Sequence, residues 1–120
     1  MTGCMPDRVT IVTVTHNGGL VIGALLRSLP PDLPLVVVDN ASTDDTLEIV
    51  QDTRPNASVL RNPIGIGYGR AANRGLRAVT TEFALLANPD TLLSDEAISA
   101  LMEAADEFPH AAGLGLAFPD

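Results

Sequence analysis

Short apolar runs alternate along the chain with stretches whose apolar residues recur every three or four positions, and most runs stop at a polar cluster. Val9 to Thr15 is rich in β-branched residues and holds neither Gly nor Pro, which predicts a buried strand. Leu20 to Leu29 then places Val21, Ala24, Leu25 and Leu29 at helical spacing, and Pro30-Pro31 stops that helix. Leu35 to Val38 predicts a second strand. Ser42-Thr43-Asp44-Asp45 follows it with a hydroxyl three residues ahead of a carboxylate, the pattern of a capping box, opening a helix that ends near Thr53. Ala57 to Leu60 predicts a shorter strand. Beyond a glycine-punctuated loop, Ala72, Gly75, Leu76 and Val79 share one helical face, and Phe83 to Ala87 predicts a fourth strand. Ser94 caps a last helix with Ile98, Leu101, Met102, Ala105 and Phe108 on its apolar side, and an apolar run from Ala111 to Phe118 closes the chain.

Strands that alternate with helices through short connections indicate repeated βαβ units, hence an α/β fold with a parallel sheet. Such sheets bind ligands beyond the carboxyl ends of their strands. The clusters Thr15-His16-Asn17, Asp39-Asn40-Ala41-Ser42-Thr43, Arg61-Asn62 and Asn88-Pro89-Asp90 would therefore face one pocket. No internal repeat or linker appears, so 120 residues make one domain with enough apolar material for a core. With 3% aromatic residues, packing rests on Val, Leu, Ile and Ala. A net charge of −8, with seven arginines in no dense run, makes nucleic acid a poor partner. Cys4 is the single cysteine and fits a reducing compartment. No signal-like start or membrane-length apolar stretch occurs, and the expected location is the cytoplasm, with peripheral contact at the inner membrane face still open.

The motifs in their order carry a resemblance. Ile11-Val12-Thr13-Val14-Thr15-His16-Asn17, Val36-Val37-Val38-Asp39-Asn40-Ala41-Ser42-Thr43-Asp44, Arg61-Asn62-Pro63, Gly65-Ile66-Gly67-Tyr68-Gly69-Arg70-Ala71-Ala72-Asn73-Arg74-Gly75 and Leu85-Leu86-Ala87-Asn88-Pro89-Asp90-Thr91 together resemble the nucleotide-sugar-binding half of a family 2 glycosyltransferase, most similar to rhamnosyltransferase-like members. The resemblance covers roughly residues 9 to 118. It implies the GT-A fold, a Rossmann-like three-layer α/β/α arrangement with a mainly parallel sheet, cut to its donor-binding half over residues 1–120.

Each motif also admits a plainer role. Asp39 can accept the imide N–H of uracil or thymine, the role the resemblance gives it, or can form an Asx-turn into the Ser42 cap. Thr15, His16 and Asn17 can meet a base and ribose; His16 occupies a position usually aromatic in the family and suits stacking or packing better than proton transfer. Gly65 to Gly75 is no dinucleotide fingerprint, because position 70 is Arg where a third glycine is required. By resemblance this loop runs beside the nucleotide, so N–H groups near Gly67, together with Arg70 and Asn73, can support the diphosphate; the plain alternative is a flexible loop with a solvated arginine. Asn40, Asn62 and Asn88 complete the expected nucleotide contacts. Asp90 offers a carboxylate to Mg²⁺ or Mn²⁺ alongside substrate phosphates, and Asn88 replaces the first Asp of the family's usual Asp-x-Asp; without the family, Asn-Pro-Asp is simply a good turn.

The implied reaction is inverting transfer from dTDP-rhamnose or a UDP-sugar to a glycan or lipid-linked acceptor. The catalytic base is expected beyond Asp120, so the chain alone could be inactive. The alternatives are a stand-alone nucleotide-sugar-binding or regulatory module, and a degenerate remnant that self-associates. An uncovered sheet edge around Ala111 to Phe118 predicts a homo-oligomer.

Overall fold

The computed structural model describes residues 8–108. Its elements alternate as β1 (Val9–Thr15), α1 (Ile22–Ser28), β2 (Leu35–Asn40), α2 (Thr46–Thr53), β3 (Ser58–Asn62), α3 (Tyr68–Arg77), β4 (Phe83–Ala87) and α4 (Asp95–Glu107). The strands form one sheet in the order β3-β2-β1-β4, and every neighbouring pair is parallel. β1 lies between β2 and β4, and all of its residues are buried.

Side chains alternate across the sheet and sort into two cores. Val9, Ile11, Leu35, Val37 and Ala87 pack with Leu25 and Leu26 of α1, Val50 of α2, and Ile98 and Met102 of α4. Val12, Val14, Val36 and Val38 pack on the other side against Ala71 and Ala72 of α3. Three helices therefore cover one face and a single helix the other, the expected three layers. α3 lies so close to the sheet that a Cβ on Gly75 would stand 2.6 Å from Val12 Cγ1 and 2.9 Å from Val38 Cγ2.

β1 and β4 have the bounds expected from sequence, whereas β2 runs on to Asn40 and β3 covers Ser58–Asn62, so Asp39, Asn40, Arg61 and Asn62 lie in the strands; three further details differ. Val21 and Ile22 both donate to the Gly18 carbonyl, so α1 starts at Ile22 and turns a different stripe inward. Ile22, Leu25, Leu26 and Leu29 are buried, while Val21 is exposed. The expected capping box does not form. Ser42 Oγ accepts instead from the Asn17 N–H at 2.8 Å, and the first turn of α2 is held by Asp44, whose Oδ1 accepts the Thr46 N–H at 3.0 Å. Leu76 and Phe108 are exposed, because α3 turns Ala71, Ala72 and Gly75 to the sheet and α4 turns Ile98 and Met102. Ser94 caps α4 as expected, accepting from the Ala97 N–H at 3.1 Å. Cys4 and the run from Ala111 to Phe118, with the self-association expected there, lie outside the described residues.

At the amino edge of the sheet, Arg8 donates to Asp106 through both terminal nitrogens, at 2.6 and 3.1 Å, and its Nε lies 3.5 Å from Glu82. The guanidinium also lies 5.4 Å from the Phe83 ring centroid, so it joins the starts of β1 and β4 to the end of α4. The Arg8 hydrogen bond holds the Asp106 carboxyl below its ordinary 3.8.

A methyl group on Gly75 would press on two stiff β-branched side chains, an overpacking cost of about 1–3 kcal/mol, against a gain in helix propensity of about 1 kcal/mol. Gly75→Ala is expected to lower the urea midpoint of unfolding, whereas Gly69→Ala, with open space around its Cβ, leaves it unchanged or raises it. A depressed carboxyl stabilises the fold above its ordinary pKa, and that contribution disappears as pH falls through the lower folded value. Thermal unfolding followed downward from about pH 5 should lose the Asp106 contribution below the ordinary 3.8, and Asp106→Asn should remove that part of the pH dependence.

Candidate functional site

Because the strands all run the same way, their carboxyl ends meet at one edge. Thr15 stands in register with Asp39, Asp39 with Arg61, Asn40 with Asn62, and Thr13 with Ala87. Side chains join the loops that leave this edge. Asn17, with φ at 49°, accepts through Oδ1 from the Thr43 N–H at 2.8 Å and the Asp44 N–H at 3.3 Å. Asp44 Oδ2 accepts the Gly19 N–H at 3.1 Å, and hydrogen bonding, led by the Thr46 hydroxyl, holds the Asp44 carboxyl low. The same loops pass the β4 exit: a Cβ on Gly18 would lie 3.8 Å from Pro89 Cβ.

His16 is exposed, and its Nδ1 lies 2.7 Å from the Asn40 carbonyl oxygen. A carbonyl only accepts, so Nδ1 carries the hydrogen; Nε2 is then the acceptor, 3.4 Å from Asn17 Nδ2. The ring is thus held in one orientation at the rim. Asp39 is fully buried. Its Oδ2 accepts the Ser42 N–H at 3.3 Å, three residues on where the expected Asx-turn would bond two residues on, while Oδ1 has no partner. The hydroxyls of Thr13 and Thr15 are likewise buried without partners. Leaving a buried polar atom unpaired costs about 1–3 kcal/mol, and more when it is charged, so Asp39 Oδ1 is suited to an incoming N–H donor. Ala41, just past β2, has φ at 62°, a left-handed conformation unfavourable for a residue with a Cβ.

Asn40 and Asn62 are buried and bonded to each other, Asn62 Nδ2 donating to Asn40 Oδ1 at 3.3 Å. The Ile66 N–H donates to the same oxygen at 3.1 Å. Arg74 of α3 donates to Asn62 Oδ1 and to the Arg61 carbonyl, the latter at 2.8 Å. Sequence reasoning placed Ser42 at this edge but as a helix cap, and missed Arg74 and Asp44; the motifs contain all three, but only the folded loops show what they hold. Gly67, with φ at 84°, precedes the first residue of α3, and a Cβ there would meet nothing within 4 Å. Arg70 and Asn73 are exposed on α3. Asn88 and Asp90 are exposed beyond β4, where the Thr91 N–H closes a turn on the Asn88 carbonyl at 3.0 Å.

No group of three or more His, Cys, Asp and Glu residues could hold a metal ion among the described residues. Asp90 and Asn88 offer oxygen ligands, a set that fits a hard divalent ion completed by phosphate oxygens and water. A separate hollow of about 430 Å³ lies at the opposite, amino edge, lined by Leu33, Arg54 and Ala57 among others, and contains none of the expected site residues. Burial lowers the pKa of Arg54 there, and its guanidinium donates to the Leu33 carbonyl at 3.0 Å.

A family model described as Glycosyl transferase family 2 matches residues 10–117. An N-acetylglucosaminyl-diphospho-decaprenol L-rhamnosyltransferase of Mycobacterium tuberculosis is 29% identical over 126 residues, covering 92% of this chain and 41% of that protein. S. aureus TarS in complex with UDP-GlcNAc superposes with a TM-score of 0.76 at 26% identity, over 92% of this chain and 37% of the other. A mannosyltransferase from Pyrobaculum calidifontis, in complex with GDP-Man and Mn²⁺, gives 0.68 at 30% identity, over 78% and 31%. The chain spans less than half the length of each of these proteins.

Asn17 combines a left-handed backbone with a side-chain oxygen that joins two loops, and paired substitutions separate these contributions. Asn17→Gly keeps the backbone and removes the hydrogen bonds, an expected loss of about 1–2 kcal/mol. Asn17→Ala adds the left-handed penalty, about 1 kcal/mol more. Chemical unfolding should rank wild type above Asn17→Gly and Asn17→Ala last; equal stability of all three would contradict the proposed join.

Proposed function

The chain belongs to glycosyl transferase family 2, and we propose that it forms the donor-binding part of a transferase, holding a pyrimidine nucleoside-diphosphate sugar at the carboxyl edge of the sheet. The observation that carries this reading is the buried, unpartnered Oδ1 of Asp39 at that edge. It would accept the imide N–H of uracil or thymine. Thr15, His16 and Asn17 would border the base and ribose, with Asn40 and Asn62 beside them. The N–H groups that open α3 after Gly67, with Arg70 and Asn73, would face the diphosphate, where positive charge and aligned amides favour an anion. Asn88 and Asp90 would complete the site from the β4 side.

TarS in complex with UDP-GlcNAc supports a uridine donor, and the rhamnosyltransferase relative supports dTDP-rhamnose. A neighbour solved with Mn²⁺ supports a divalent ion, Mg²⁺ or Mn²⁺, at Asp90. Such an ion, when bound, supplies positive charge to the leaving diphosphate. The proposed reaction is inverting: an acceptor hydroxyl attacks the anomeric carbon from the face opposite the diphosphate, its proton passes to a general base, the glycosidic bond forms as the bond from the anomeric carbon to the phosphate oxygen breaks, and the nucleoside diphosphate leaves with that oxygen. The chain's own part is to bind and orient the donor and to stabilise charge growing on the leaving group. A glycan or lipid-linked glycan is the proposed acceptor, in keeping with the diphospho-decaprenol in the relative's name, and the cytoplasm the proposed location. No helix among the described residues is long and apolar enough to cross a membrane.

Calorimetric titration with TDP, UDP and GDP, with and without Mg²⁺, tests the reading. Pyrimidine nucleotides should bind more tightly than GDP, and Mg²⁺ should strengthen them. Asp90→Ala should abolish the Mg²⁺ effect, and Asp39→Asn should weaken TDP and UDP by about tenfold or more. Equal weak binding of all three nucleotides would overturn it.

A further inference from the structure

We propose that Arg74 is a positioning residue that fixes, through two buried amides, which end of the Asn40 side chain faces the nucleotide; the inference rests on the donor-binding reading above. A guanidinium has five N–H donors, no acceptor and a permanent charge. The group it touches on Asn62 must therefore be the oxygen, and Arg74 does donate to Asn62 Oδ1, with a second bond to the Arg61 carbonyl at 2.8 Å holding it in place. With its oxygen turned to Arg74, Asn62 offers its NH₂ to Asn40, and Nδ2 lies 3.3 Å from Asn40 Oδ1. The Ile66 N–H, 3.1 Å from the same oxygen, reinforces that orientation.

The polarity of a surface cation is thus carried inward. Asn40 has its side-chain oxygen bonded twice and its backbone carbonyl taken by His16, so its Nδ2 is the end left for a ligand. No hydrogen bond recorded among the described residues takes that nitrogen. An isolated amide flips at small cost. Here a flip of both would turn the Asn62 NH₂ toward a guanidinium and the Asn40 NH₂ toward the Ile66 N–H, donor against donor. The edge therefore presents a fixed N–H donor next in sequence to Asp39, which presents an acceptor. Asn40 is matched to an oxygen of the ligand, a ribose hydroxyl or a diphosphate oxygen, and Arg74 enforces this without touching the ligand.

The test combines affinity with a spectroscopic readout. In titrations with UDP and Mg²⁺, Arg74→Ala should weaken binding by about tenfold, while Arg74→Lys, still a donor, should stay within about threefold of wild type. In an Asn40→Ala background Arg74→Ala should cost nothing further, because the residue through which it acts is gone. In the ligand-free protein, the ¹⁵N side-chain amide resonances of Asn40 and Asn62 should shift in Arg74→Ala and return in Arg74→Lys, with the backbone amide spectrum showing both variants folded. Undiminished UDP binding by Arg74→Ala, an equal loss in the Asn40→Ala background, or unmoved amide resonances would each overturn the relay. A wild type that binds no nucleotide would remove the donor reading, and the ligand-free amide resonances would then decide the relay alone.

Discussion

A parallel sheet ends in a row of backbone groups that no further strand can satisfy, and in this protein the ends of β1, β2 and β3 are closed by side chains reaching across from neighbouring strands and loops. The Asn40 carbonyl takes His16, the Arg61 carbonyl takes Arg74, and the N–H groups of Asn17, Thr43 and Asp44 are taken by Ser42 and Asn17. What remains unpaired after this mutual satisfaction defines the chemistry the edge can offer. Among the described residues, the buried side-chain atoms left without a partner are Asp39 Oδ1 and the hydroxyls of Thr13 and Thr15. In the proposed reading a few atoms would select the ligand, while many more keep those atoms in place.

Most of the scaffold was readable from residue order. Val9–Thr15 and Phe83–Ala87 have the bounds that β-branched and apolar runs suggest: β1 is buried along its whole length, while β4, half-exposed up to Ala87, is marked by its unbroken apolar run. Helix faces were less readable. The turn at Gly18 sets where α1 begins, and one residue of offset moves Val21 from the core to solvent. Among the site residues, Asp39 carried a visible signal, a carboxylate directly after three valines. Ser42 looked like a helix cap and is instead a bond acceptor for the β1 loop, since two strands in register bring it to Asn17. Arg74 carried no signal of its own, because its role depends on a crossover that stacks α3 over the sheet.

The two oxygens of Asp39 differ in what they meet. One closes the local turn with Ser42, and the other stays open. A carboxylate fixed by the fold through one oxygen is already ordered, and in the proposed donor-binding role its other oxygen would add little ordering cost on binding. Asn40 and Asn62 follow the same division, with atoms bound inward keeping the remaining ones oriented.

Arg8 and Glu82, brought to 3.5 Å, are 74 residues apart in the chain, and β1 beside them must wait for β4 before its second edge is paired. During synthesis from the amino terminus, β1, buried along its whole length, is made well before the β4 that completes its pairing. Until Phe83–Ala87 emerges, β1 presents an open, strongly β-forming edge to any extended chain it meets. Assembly of this domain is therefore limited by a distant pairing within one chain, and crowded nascent copies compete for the same edge.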